Sequence, residues 1–148
     1  MGIFSVSSSA FGEKEPIPKK YTCDGENISP DLKIENAPEG TKSFVLIMDD
    51  PDTLVGLFTH WISWNIPAHK LEIKENEDPG VGHGKNDFGR YDYGGPCPPS
   101  GTHRYFFKVF ALDTELYIPE NSTRKELERE MTGHILDESS LVGTYSRS

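Results

Sequence analysis

Three stretches of this chain end in residues that handle protons and anions. The apolar run Ser43-Phe44-Val45-Leu46-Ile47-Met48 passes into Asp49-Asp50-Pro51-Asp52, while His60 heads Trp61-Ile62-Ser63-Trp64-Asn65-Ile66 and His103 heads Arg104-Tyr105-Phe106-Phe107-Lys108-Val109. A carboxylate that accepts one imidazole N–H turns the other ring nitrogen towards a ligand, and a histidine that gains a proton becomes a charge-assisted donor. Brought together, Asp50, His60 and His103 make a small polar cup suited to a phosphate-like or carboxylate anion. Taken singly, each is more simply a satisfied structural group; a polar residue repeated at three strand ends is what favours a site.

The segment before His103, Gly94-Gly95-Pro96-Cys97-Pro98-Pro99-Ser100-Gly101-Thr102, combines glycines with prolines that fix φ and extend the residue before them. It reads as a rigid, non-repetitive loop able to present backbone N–H groups beside the histidine. Strand alternation then predicts shared faces. His103 and Tyr105 go with Phe107, Val109 and Ala111; Asp50 goes with Phe44, Leu46 and Met48; His60 goes with Ile62, Trp64 and Ile66.

The supporting elements are mostly strands. Residues 43–48 form a central strand covered on both faces, 3–6 a short opening strand, and 32–35 a half-buried one. Residues 54–59 read as a short connection with a helical turn, and 69–89 as a long exposed excursion ending in the turn Asn86-Asp87-Phe88-Gly89. One helix is predicted over 121–137, opened by the capping box Thr123-Arg124-Lys125-Glu126, with Leu127, Met131 and Ile135 on one face and Gly133 weakening its middle. Residues 141–145 close the chain as a strand, giving a β-rich domain over 1–148.

Composition narrows the function. Fourteen glycines and 11 prolines favour a loop-rich fold over a helical bundle. A net charge of −9 argues against a nucleic-acid surface, so an anion must be drawn by local dipoles and histidines. Cys23 and Cys97 are too few for a disulfide framework and lack metal spacing. Reduced thiols in the cytoplasm are expected, with one bridge between them as the alternative. With no basic leader and no long apolar run, no stable membrane insertion is expected either.

In order along the chain, Asp50-Pro51-Asp52, the His60 strand, Asn86-Asp87-Phe88-Gly89, Gly94-Gly95-Pro96-Cys97-Pro98-Pro99 and Gly101-Thr102-His103-Arg104-Tyr105 resemble the phosphatidylethanolamine-binding proteins. The terminal Leu141-Val142-Gly143-Thr144-Tyr145 is similar to their prokaryotic Raf-kinase-inhibitor-like branch. Where eukaryotic members often carry a tryptophan shortly before the first histidine, this chain has Phe58 and Thr59. The resemblance implies a mainly β fold, a large antiparallel sheet packed on a smaller one with peripheral helices, around a cavity for phosphate-like anions. It implies Asp50 and Asp52 at the rim, His60 beside them, Gly95 and Pro96 as the loop wall, and His103 with Tyr105 as the far wall.

Non-catalytic binding is the function expected, without a cofactor. The expected partners are the anion, a protein kinase or protease modulated through exposed loops, and a second copy of the chain in a homodimer. A hydrolase acting on a small phosphorylated or ester substrate through Asp50, His60 and His103 is the alternative, but no Gly-x-Ser-x-Gly elbow, Walker loop or dinucleotide fingerprint accompanies them. A metal site of the same three residues has the ligand types without a short spacing pattern.

Overall fold

The computed structural model describes residues 2–147, so Met1 and Ser148, the ends of the expected 1–148 domain, lie outside it. Nine strands and one α-helix follow in order: β1 (Ser5–Ser7), β2 (Glu15–Pro16), β3 (Leu32–Glu35), β4 (Ser43–Thr53), β5 (Gly56–Pro67), β6 (Glu72–Ile73), β7 (Gly82–His83), β8 (Thr102–Leu112), α1 (Arg124–Met131) and β9 (Ile135–Ser146). The large sheet has the order β2-β9-β8-β4-β5-β7 and is antiparallel apart from the β2–β9 pair. A three-stranded sheet, β1-β3-β6, packs on one of its faces.

Strand β4 organises both cores. Phe44, Leu46 and Met48 face the small sheet's Val6, Leu32, Ile34 and Ile73, whereas Val45 and Ile47 face Ile62, Trp64, Leu127 and Met131 beneath α1. Burial on both faces explains why its sequence is a continuous apolar run instead of an alternating one. The same alternation carries Asp50 to the small-sheet side and Asp49 to the α1 side.

Strand β5 departs from regular alternation at two places. Its register against β4 shifts between Met48/Asp49 and between Phe44/Leu46, so His60 and Asn65 are each an extra residue. Asn65 takes a left-handed conformation with φ 54°, which asparagine tolerates better than most residues. Consequently Ile62 and Trp64 enter the α1 core while Trp61 and Ile66 enter the other, correcting the expectation that His60, Ile62, Trp64 and Ile66 share one face. A β-bulge is what brings His60 onto the Met48 side.

Three further expectations are revised. Residues 54–59 are no helical turn: β4 runs on through Asp52 and pairs with β5 in a hairpin turning at Leu54 and Val55, with Thr53 opposite Gly56. The helix stops at Met131, because Thr132 leaves helical geometry at φ −56° and ψ 127° and Gly133 at φ +85° completes a type II turn, closed by the His134 N–H on the Met131 carbonyl, that leads into β9. Gly133 supplies the positive φ that this turn requires. The helix start is as predicted, with Thr123 and Glu126 forming both halves of the capping box. Finally, Cys23 and Cys97 are joined in a disulfide, with Cα atoms 5.5 Å apart, so the reduced pair gives way to the bridged alternative.

Candidate functional site

At the β4–β5–β8 end of the large sheet lies a cavity of about 280 Å³, lined by polar Asp50, His60, His103 and Tyr105 and by a largely apolar wall that includes Phe58 and Phe88. Strand pairing explains the convergence. Met48 lies opposite Phe107 on β8 and opposite Trp61 on β5, so the polar ends of all three strands emerge on the same edge.

Each histidine is held by its Nδ1. His103 donates Nδ1–H to Asp50 Oδ2 at 2.6 Å, and Asp50 Oδ1 accepts the Asp52 backbone N–H at 2.8 Å. His60 donates Nδ1–H to the Gly94 carbonyl at 2.7 Å; because a carbonyl only accepts, this nitrogen carries the proton. Neither Nε2 has a hydrogen-bond partner among the described residues. Burial lowers the His60 pKa, more than the Gly94 carbonyl and the charge of Asp50 raise it, so the ring is neutral at pH 7. Its Nε2 is then a lone pair.

Tyr105 completes the row. Its ring centroid lies 5.3 Å from His60, edge to face, and 6.4 Å from His103. The hydroxyl is buried and makes no hydrogen bond of good geometry among the described residues, but it lies close to Asp50, and burial, followed by the charge of that carboxylate and a weak contact with it, pushes its pKa up. It remains a neutral donor.

The turn at Asn86 supports His60 from behind. Asn86 Nδ2 donates to the His60 and Asp92 carbonyls, its Oδ1 accepts from the Phe88 and Arg90 N–H groups, and Asp87 Oδ2 accepts the Thr59 N–H. This fastening presses Phe88 against the imidazole with centroids 5.1 Å apart, edge on. Phe58 packs on the same ring at 5.1 Å.

Three expected site residues do not line this cavity. Asp52 takes Arg104 through Nε at 3.0 Å, Nη2 at 2.8 Å and the backbone N–H at 2.8 Å, which holds its pKa down at about 2. It borders an adjoining hollow of about 310 Å³ with Leu54, Ser100 and Gly101. Gly95 and Pro96 sit behind the wall: Gly95 N–H bonds Asn27 Oδ1 at 2.9 Å, and the Pro96 carbonyl accepts the Cys23 N–H at 3.1 Å. A Cβ on Gly95 would lie 2.3 Å from the Tyr21 carbonyl oxygen, which accounts for glycine there. The wall itself is Cys97, Pro98 and Pro99.

Sequence reasoning missed Phe58 and Phe88 as lining residues and Asn86 as the fastener. Once Asp50 is recognised as lying on β4, the β4–β5 hairpin register identifies Phe58, which stands opposite it. The other acidic neighbour, Asp49, is structural. On the opposite face it is fully buried, with Lys108 Nζ at 3.0 Å, Thr59 Oγ1 at 3.1 Å and the Arg124 guanidinium in contact.

Among the described residues no cluster of three metal-ligating side chains has metal-binding geometry, and no helix is long and apolar enough to cross a membrane. Comparison with known proteins agrees with the fold. The family model described as phosphatidylethanolamine-binding protein matches residues 7–146. A UPF0098 protein of Aquifex aeolicus is 52% identical over 98% of this chain and 90% of its own length, and one of Pyrococcus abyssi is 51% identical over 95% and 84%. Among solved structures, a phosphatidylethanolamine-binding protein homologue, CT736 of Chlamydia trachomatis, superposes with TM-score 0.96 at 38% identity, covering 100% of both chains. YbcL of E. coli, described as a member of the mammalian family, superposes with TM-score 0.91 at 29% identity over 99% of this chain and 100% of its own. The chain belongs to the phosphatidylethanolamine-binding protein family, in its prokaryotic branch.

Proposed function

We propose that this protein is a non-catalytic binder of a small phosphate-like or carboxylate anion. The observation that carries the reading is a pair of open imidazole nitrogens on one cavity wall, His60 Nε2 and His103 Nε2, which have no hydrogen-bond partner among the described residues, with the Tyr105 hydroxyl buried between them beside Asp50. Polar groups left open in this way suit a ligand whose oxygens can pair with them.

The donor inventory also sets how the anion is held. With both Nδ1–H groups committed, each Nε2 accepts until its ring is protonated, so a phosphate oxygen and an imidazole must share a proton. Anion binding is therefore coupled to proton uptake, and Tyr105 supplies a hydrogen bond at any pH below its raised pKa. Phe58 and Phe88 give the cavity an apolar wall beside His60, and a lower local dielectric there strengthens these bonds.

Among the described residues that line the cavity, no serine or free thiol is placed to act as a nucleophile. The cysteine of the wall is in a disulfide, and Thr53 Oγ1 donates to the Gly56 carbonyl. The Asp50–His103 pair resembles the part a hydrolase uses to activate water, and turnover of nitrophenyl phosphate or acetate that disappears in Asp50→Asn would replace binding with hydrolysis. Phosphorus NMR titration with inorganic phosphate tests the proposal. Wild type should broaden and shift the resonance while His103→Ala leaves it unchanged, and equal binding by both removes His103 from the site.

A further inference from the structure

The disulfide lies in the cavity wall. Cys97 lines the cavity and is exposed, Cys23 is half-buried, and the bridge spans 74 residues of sequence. Beyond Cys97, residues 98–101 make no hydrogen bond to the rest of the described chain. Pro98 and Pro99 have no N–H to offer, and the backbone is next secured at Thr102, which pairs with Ser146. This strip nevertheless walls both the main cavity and the adjoining hollow. Between the Pro96 carbonyl and β8, the sulfur bridge is its covalent anchor.

A cation stands beside that bridge. Arg147 Nη1 lies 3.8 Å from Cys97 Sγ, while its Nη2 is fixed by Asp24 Oδ1 at 2.9 Å; Asp24 Oδ2 in turn accepts the Tyr145 hydroxyl at 2.6 Å. A guanidinium next to a sulfur stabilises that sulfur as a thiolate, and thiol–disulfide exchange is faster when the leaving thiolate is stabilised.

We propose that Cys23–Cys97 is a reversible thiol–disulfide exchange site whose oxidation closes the cavity wall, so that a dithiol reductant lowers the anion affinity of the pocket. A thiolate of the dithiol attacks Cys23 Sγ, forming a mixed disulfide, and the electron pair of the broken S–S bond leaves on Cys97 Sγ beside Arg147. The second thiolate of the reductant then attacks its own mixed-disulfide sulfur and expels Cys23. The reductant ends as an intramolecular disulfide, and its two electrons and two protons reside on the two cysteines. The affinity part of this proposal rests on the anion-binding reading; the loosening of the wall does not.

The test begins with oxidised protein treated with dithiothreitol, trapped with iodoacetamide and weighed, with near-ultraviolet circular dichroism recorded in parallel. Two alkyl groups should be added while the tertiary signal persists. Amide exchange at Cys23, whose N–H donates to the Pro96 carbonyl beside the bridge, should rise by about tenfold or more with the interior of β8 unchanged, and phosphate affinity should fall by about fivefold or more. The Cys23→Ser/Cys97→Ser variant should match the reduced state. Arg147→Gln should slow reduction by about fivefold and Arg147→Lys should restore it. Reduced protein whose exchange and phosphate affinity equal those of the oxidised form overturns the proposal, as does a bridge that opens only with loss of the near-ultraviolet signal. If oxidised protein binds no phosphate, the anion-binding reading fails and the exchange measurement alone decides the switch.

Discussion

His103 Nδ1 lies 2.6 Å from Asp50 Oδ2, a buried contact between residues 53 apart in sequence. Two adjacent antiparallel strands make it, because the β4–β8 register that sets Met48 against Phe107 carries their polar ends past the core together. The contact spends one nitrogen of the imidazole on orientation and leaves the other for a ligand. Breaking it by His103→Ala leaves Asp50 buried without its partner, so stability should fall by about 3 kcal/mol in urea titration. Phosphate affinity should fall by about tenfold or more, the loss of one charge-assisted hydrogen bond. His103→Gln should recover part of the stability without the binding.

His60 makes stability depend on pH in a defined direction. Its folded pKa is lowered by burial, so below the unfolded value of 6.5 the unfolded chain binds more protons than the folded one. The contribution is complete above 6.5 and is lost as pH falls through the lowered value. Urea midpoints measured downward from neutrality should drop in wild type, and His60→Phe should flatten that part of the profile.

Asp52 acts lower on the pH scale. Its pKa, held at about 2 by Arg104, contributes stability that is present above the ordinary value of 3.8 and lost between there and about 2. Because Arg104 is more than half exposed, solvent screens the pair and its contribution to stability should be small. Asp52→Asn should remove the acid-limb dependence in that window while phosphate affinity changes by about twofold at most, consistent with a side chain outside the main cavity.

The sequence showed the site best where strands are regular. Alternation correctly placed Asp50 with Met48 and His103 with Tyr105, since β4 pairs with β8 without a shift up to Asp49 opposite Phe106, and β8 pairs with β9 without a shift from Thr102 to Ala111. It failed along β5, where bulges at His60 and Asn65 change the face twice, and local composition carries little sign of a bulge imposed by a neighbouring strand. Gly133 was visible as a weakness but not as a stop, because its role depends on a positive φ that residue type permits without requiring. Two cysteines alone contain no distance; their pairing depends on the 19–25 loop docking on the Pro96 carbonyl, a contact between segments far apart in sequence.

On the other face of the sheet, the fully buried Asp49 is balanced by Lys108 and Arg124. Arg124→Met removes one of those cations and should cost about 3 kcal/mol, because a buried carboxylate loses a partner that packing cannot replace. A double-mutant cycle with Asp49→Asn should return a large share of that loss as coupling, and additive effects would show that the contact contributes little.

The central claim is that His60 Nε2, His103 Nε2 and the Tyr105 hydroxyl meet one anion, which must share a proton with an imidazole. Calorimetric titration of inorganic phosphate at about pH 8, repeated in buffers of different ionisation enthalpy, counts the protons taken up, since phosphate there is a dianion and free histidine is neutral. The account predicts uptake of about one proton per phosphate in wild type and its loss with His60→Ala. Phosphate binding without proton uptake, or binding undiminished in His60→Ala, would contradict it.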